Sequence, residues 1–558
     1  MRRLAAKDHG QPRRKAARLV SMGKRTTQRG PAISRILPFV LVFCLTTFSA
    51  WAAGQEDRLY TGHALLSNWQ VDEASDLAKT LEEEDASDPA SAYFLGRVYF
   101  ERGEYEKALD YLNGAGDYRI SDRRHPGALD YAPYLKAAYE NTKDIESKRS
   151  EHFEVRVSPG PDEVLMDGAL ETLEKAYEAL GQDLGYKPKN RVIVEFYPRL
   201  EQLAAATGVT VEALKTSGTI AICKWSRLML TSPRVAALGY SWRDTLNHEY
   251  AHLIMSRATA NTLPLWMHEG LAKFLEERWR NPPGGELDAS SQNLLVRALR
   301  ENKLVTLEQI SPSMAYLPSQ QHAALAFAEV LTMVQWLYGQ RGGSEGIRRL
   351  LQAVKETRGD SDESLRRVYG LDLSSLQVNW RSWARQLRER PADDFDDYSI
   401  LFGDKDGQDE EKALQKLQRK SGRNMITLGK LLKDRKHYQA AVVEFRKAEL
   451  SLGRANPLLA NYLADCLITL DDYAGAWESL KPAVQLSPHW APSRIRAGLA
   501  LTKLSQWDEA VRQLEAAEAV NPFDPRVQAL LAEAYDKLGQ TDKASRAERN
   551  LRLVSQGR

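Results

Sequence analysis

Ala476, Ala510 and Ala544 recur at intervals of 34 residues, Pro488 and Pro522 keep the same interval, and Tyr473 and Trp507 occupy one position of the repeat. A period of that length holds two short helices, with small residues where the helices approach closely and a proline where the second one ends. Such a unit cannot bury its apolar face alone, so it must stack on copies of itself. An earlier unit carries Leu428-Gly429, Tyr438, Ala441, Phe445 and Ala448, giving about four repeats over 423–556, the last one degenerate as a cap would be. Toward the other end, Leu95-Gly96, Tyr99, Gly103, Tyr105, Ala108 and Ala115 fit one more unit, and a poorer helical pair lies between Leu59 and Glu84. Residues 57–148 therefore read as a short helical region that must pack on the rest of the chain or on a partner.

These spacings resemble tetratricopeptide repeats, and the resemblance implies all-α solenoid segments that bind a protein partner. The C-terminal array has its own periodic core and follows a polar, acidic linker over 391–422 that begins at Asp393-Asp394-Phe395-Asp396-Asp397. It is expected to fold as a separate module.

Residues 150–390 break the pattern. Phe153 to Val157 and Val192 to Tyr197 alternate or run apolar as strands do, with a helix from about Asp162 to Gly181 between them, and Ile220 to Cys223 with Leu228 to Leu230 reads as a hairpin. After it comes His248-Glu249-Tyr250-Ala251-His252. Residues four apart share one face of a helix, so both imidazoles can point at one Zn²⁺ while Glu249 reaches a water beside it. Ser241 and Asp244 are spaced as a capping box that would start this helix. Pro264 in the first turn and Asn281-Pro282-Pro283-Gly284-Gly285 at the end bound a second helix carrying Trp266-Met267-His268-Glu269-Gly270.

A catalytic zinc needs a third protein ligand and one open position. Glu269 on the second helix completes a His₂Glu set, and Gly270 allows close packing there. His268 is the rival. Neighbours on a helix point about 100° apart, so one of the two ligates and the other does not. A third histidine in the metzincin manner is excluded, because that pattern's glycine and histidine would fall at Met255 and Ala258.

HEYAHL followed by LPLWMHEGLAKFLEE resembles the peptidase MA-like domains of the gluzincin clan. The resemblance implies an α+β zincin-like metalloprotease domain, a small sheet plus active-site helices, flanked by the solenoid segments. It further implies one Zn²⁺ held by His248, His252 and Glu269, with Glu249 as general base and acid. An edge strand that pairs with the substrate backbone would fall near Arg227-Leu228-Met229-Leu230-Thr231. The family's oxyanion-stabilising residue belongs on a later helix near Phe327, and Tyr316 and His322 are the nearest substitutes. The reading that follows is a metallopeptidase acting on a protein or peptide substrate. The alternative is a repeat-based scaffold of the cell envelope whose zinc domain is a binding module with low activity.

The net charge of +2 conceals an asymmetry. Residues 1–53 hold eleven Lys/Arg and one acid, leaving 66 basic against 74 acidic side chains for the remainder, so nucleic acid is not an expected partner. The basic leader runs into an apolar stretch from Ile36 to Ser49 and then Ala50-Trp51-Ala52. Residues 1–52 thus read as a secretory signal cleaved after Ala52, with an uncleaved anchor near a membrane as the alternative. With only Cys223 and Cys466 beyond it, in different expected domains, export to a bacterial periplasm or cell envelope is the expectation.

Overall fold

A computed structural model of the protein describes residues 54, 56–118, 130–340, 342–390, 400, 420–452 and 456–556. The leader over 1–52 and nearly all of the linker over 391–422 lie outside the described residues. No helix among the described residues is long and apolar enough to cross a membrane.

The described residues are mostly helical around one mixed sheet of five strands: β1 (Glu146–Arg149), β2 (Phe153–Val157), β3 (Val192–Tyr197), β4 (Ala221–Lys224) and β5 (Arg227–Thr231), in the order β1-β2-β3-β5-β4. β2, β3 and β5 run parallel to one another, whereas β1 and β4 pair antiparallel at the two edges. The parallel crossover from β2 to β3 is made by the helix Val164–Leu184. Trp225 and Ser226 join β4 to β5 with φ of 50° and 58°, the left-handed pair that a two-residue hairpin turn requires. This corrects the expected edge strand. Arg227–Thr231 is hydrogen-bonded on both sides, by β3 and β4, and the free edge belongs to Ala221–Lys224.

The three inner strands β2, β3 and β5 are largely apolar on both faces because both are covered, whereas edge strand β1 is exposed along its length. Val155, Val194, Phe196, Leu228 and Leu230 share a core with Val164–Leu184 and with the HExxH helix Trp242–Ala258. On the other face, Tyr197, Trp225 and Met229 pack with Phe100, Tyr105 and Tyr131 of the N-terminal helices. The short repeat region thus has its missing partner in the sheet. Charges are buried there too: Glu195 accepts from Tyr197 Oη at 2.7 Å and from Tyr105, and Arg227 donates to the Phe100 carbonyl at 3.2 Å.

From Lys420 to Gln556 the described residues form eight helices with a separate core of Ala441, Phe445, Ala476, Ala510 and their repeats. The expected separateness of this array does not extend to its surface. The Trp242 indole donates to the Glu518 carbonyl (3.0 Å), Arg243 pairs with the Glu518 carboxylate (3.2 Å), and the Tyr240 N–H donates to Val520 (3.2 Å). Gly239 sits at φ 77°, and a Cβ there would overlap the Val520 carbonyl. Arg546 and Arg549 pair with Glu171 and Asp167 on the crossover helix. Nor is the capping box formed: Ser241 Oγ pairs instead with His489 Nδ1 of the array at 2.6 Å, and Asp244 accepts from Trp279 (2.9 Å) and Arg280 (2.7 Å).

One buried acid makes stability depend on pH. Glu329, 5% exposed on the long helix Gln320–Gln340, accepts the Val305 N–H at 2.8 Å, and burial pushes its carboxyl up from 4.5 to about 8. A raised folded-state pKa means that the native state holds the proton where the unfolded chain has released it. The contribution of Glu329 to stability is therefore fully present below about pH 4.5 and is lost as pH rises through 8. Glu329→Gln keeps the acceptor without the charge. Urea denaturation is expected to show the variant gaining roughly 3 kcal/mol over the wild type between pH 5 and pH 9.

Candidate metal centre

The HExxH helix spans Trp242–Ala258, and a second helix, Leu265–Leu275, follows through a turn in which Ala260 and Asn261 have φ of 52° and 59°. The turn folds the second helix back across the first. Asn247 Nδ2 ties the far ends together by donating to the carbonyls of Leu275 (2.7 Å) and Glu276 (2.9 Å). Gly270 permits close packing, but against the long helix: a Cβ there would lie 2.6 Å from the Val330 carbonyl oxygen.

His248, Glu249 and His252 are buried at 9%, 6% and 7% exposure, and their ligand atoms lie within 4.8 Å of one another, a cluster that could hold a metal ion. Glu269 comes nearer still to both rings. Its Oε2 is 3.7 Å from His248 Nε2 and 3.5 Å from His252 Nε2, and the two Nε2 atoms are 3.1 Å apart. Separations near 3.3 Å are what bonds of ~2.0–2.1 Å at tetrahedral angles produce, so these three atoms fit a zinc-sized cation. Glu249 stands apart from that triangle, with the backbone of Cys223 on edge strand β4 beside its carboxyl and opposing the rise that burial causes.

Burial and neighbouring charge oppose one another at each of these groups. Burial alone would raise Glu269, but His252 and His248 outweigh it and hold the carboxyl well below its usual range. Burial would likewise lower His248, yet Glu269, Glu276 and Glu249 raise it to about 9. Glu249 is pushed up by burial, with His252 and His248 opposing.

His268 does not converge on the same point. Its Nε2 pairs with Ser256 Oγ at 3.0 Å and its ring stacks on that of His252. Burial, then the neighbouring His252, bring it down to about 3. Phe327 lies edge-on against the His248 ring, centroids 6.1 Å apart, so a phenyl stands where a hydroxyl was sought. Tyr316 is 61% exposed, and His322 is exposed with its Nδ1 on Ser319 Oγ (2.8 Å). The structure gives neither a hydrogen bond to the four clustered residues.

Two neighbours escaped the sequence reading. Glu276 Oε2 lies 3.7 Å from His248 Nδ1 and Glu276 Oε1 2.5 Å from Lys273 Nζ. Burial raises it, but Lys273 and His248 outweigh that and bring its carboxyl down to about 2. The available signal was the seven-residue step from Glu269, two helical turns on one face. Cys223 is the other, its thiol pushed up by burial and by Glu249.

Residues 172–386 match the Peptidase MA superfamily, and 61–119 and 468–534 each match tetratricopeptide repeats. A protein STIP1 homolog from Dictyostelium discoideum is 32% identical over 111 residues, 20% of each chain, so this chain spans about a fifth of that relative's length. Among solved structures, a MamA fragment from Desulfovibrio magneticus RS-1 is 17% identical, covering 27% of this chain and 87% of its own, at a TM-score of 0.24. The first repeat domain of Spaghetti (RPAP3), bound to an HSP90 peptide, is 20% identical over 21% of this chain and 94% of its own, at a TM-score of 0.21. By these matches the chain carries a Peptidase MA superfamily domain over 172–386, flanked by tetratricopeptide repeats at 61–119 and 468–534.

Proposed function

We propose that the chain is an exported zinc metallopeptidase with a zincin-like catalytic domain of the gluzincin type, working in a bacterial periplasm or cell envelope. The observation that carries the reading is the triangle of His248 Nε2, His252 Nε2 and Glu269 Oε2, with edges of 3.1, 3.5 and 3.7 Å. Zinc held there supplies Lewis acidity, polarising an amide carbonyl and making a nearby water easier to deprotonate. Glu249, buried beside the triangle with its carboxyl raised, takes the proton from that water and returns it to the leaving amine. Glu276 orients His248 through Nδ1. The free edge of Ala221–Lys224, whose Cys223 backbone lies beside Glu249, is where an extended substrate backbone would add. The repeats bind the protein partner or present the substrate.

One observation favours a second reading, a cell-envelope scaffold whose zinc domain binds but barely turns over. Phe327 carries no donor for a developing oxyanion, and Tyr316 and His322 have no hydrogen bond to the site. Incubation with a peptide library separates the two. The peptidase reading expects cleavage that a chelator abolishes and added zinc restores; no cleavage from zinc-loaded protein selects the scaffold.

A further inference from the structure

The two histidines of the HExxH helix are oriented by different means. His248 Nδ1 faces the Glu276 carboxylate at 3.7 Å. His252 Nδ1 is buried with no hydrogen-bond partner among the described residues. What His252 has instead is a ring: His268 lies parallel to it, centroids 4.4 Å apart and planes 8° from coincidence. His268 is itself fixed, because Ser256, one helical turn beyond His252, meets its Nε2 at 3.0 Å. The stack therefore runs from the HExxH helix to the second helix and back to the first.

We propose that His268 is a positioning residue that sets the ring plane of His252 for the metal by stacking, in place of the carboxylate that faces His248 Nδ1. A metal-bound imidazole must present its Nε2 lone pair along one direction, and a ring with a free Nδ1 can swivel about its Cβ–Cγ bond unless something covers its face. A parallel aromatic neighbour restricts that swivel, and its π face also suits a ring made electron-poor by a cation. Immediately before Glu269, His268 is carried by the backbone that delivers the third donor, so both are aligned together.

The inference rests on the reading of His252 as a zinc ligand, and the test keeps the two apart. The zinc dissociation constant of the full chain is measured by competition with a chelating dye for wild type, His252→Ala, His268→Ala, His268→Phe and His268→Gln, each checked for folding by circular dichroism. His268→Ala and His268→Gln are expected to weaken zinc binding about tenfold or more, whereas His268→Phe, which keeps the stacked ring, stays within about threefold of wild type. His268→Gln carries the test if the alanine variant does not fold, since its amide can still reach Ser256. Wild-type affinity in His268→Gln would overturn the proposal, and so would His268→Phe binding as weakly as His268→Gln, because a nitrogen rather than the ring face would then matter. Unchanged affinity in His252→Ala would instead refute the metal site itself.

Discussion

Glu249→Gln is expected to retain one zinc and the native fold while losing hydrolysis by on the order of 10³-fold or more. The substitution leaves His248, His252 and Glu269 untouched and replaces a buried carboxyl by an amide of the same shape, so binding and folding have no reason to change. It removes the carboxylate that clusters with both histidines without being a corner of the triangle, whereas the other neighbouring carboxylate, Glu276, faces His248 Nδ1 and pairs with Lys273. Both proton transfers, from water and to the leaving amine, depend on that group, which is why one atom's change should remove nearly all turnover. Single-turnover cleavage of a peptide found in the library, with metal content measured on the same sample, checks this. Turnover equal to wild type would assign the base elsewhere.

The second large effect concerns the C-terminal array. Removing 420–558 would uncover Trp242, 1% exposed, and leave Arg243 without Glu518 at the first turn of the HExxH helix. His248 lies six residues further along, about 9 Å at 1.5 Å per residue, so the loosened turn is less than two turns from a donor atom. The truncated chain is expected to melt about 5–10 °C lower and to bind zinc about tenfold more weakly. Gly239→Ala in the full chain should move both in the same direction, because its new Cβ meets the Val520 carbonyl and its φ of 77° disfavours alanine. Calorimetry and the chelator competition provide both numbers. Unchanged values in the truncated chain would show that the array is an appendage.

What the sequence disclosed, and what it did not, divides along the range of the interactions. The strands Phe153–Val157 and Val192–Tyr197, the HExxH helix and the 34-residue period are local patterns, and each stands in the structure where its periodicity puts it. Strand order is not local. Arg227–Thr231 and Ala221–Lys224 look equally like edges until β3 is known to pair with β5. The capping box at Ser241 and Asp244 is sound helix chemistry, overridden by His489, a residue 248 positions away, and by Trp279 and Arg280. Phe327 lies on the later helix that the family resemblance indicated, and the structure sets it against the His248 ring, yet as a phenylalanine it brings no hydroxyl. The stacking of His268 could not be read from spacing, because it depends on how the turn through Ala260 and Asn261 folds one helix over the other.

The claim on which all of this stands is a zinc ion held by His248, His252 and Glu269. X-ray absorption at the zinc edge of the purified full chain tests it most directly, with Glu269→Ala measured beside it. The expected spectrum shows one zinc with two imidazoles and a carboxylate oxygen at about 2.0–2.1 Å, and a strong loss of zinc from Glu269→Ala. A spectrum with three imidazoles, or full zinc retained by Glu269→Ala, would contradict the account.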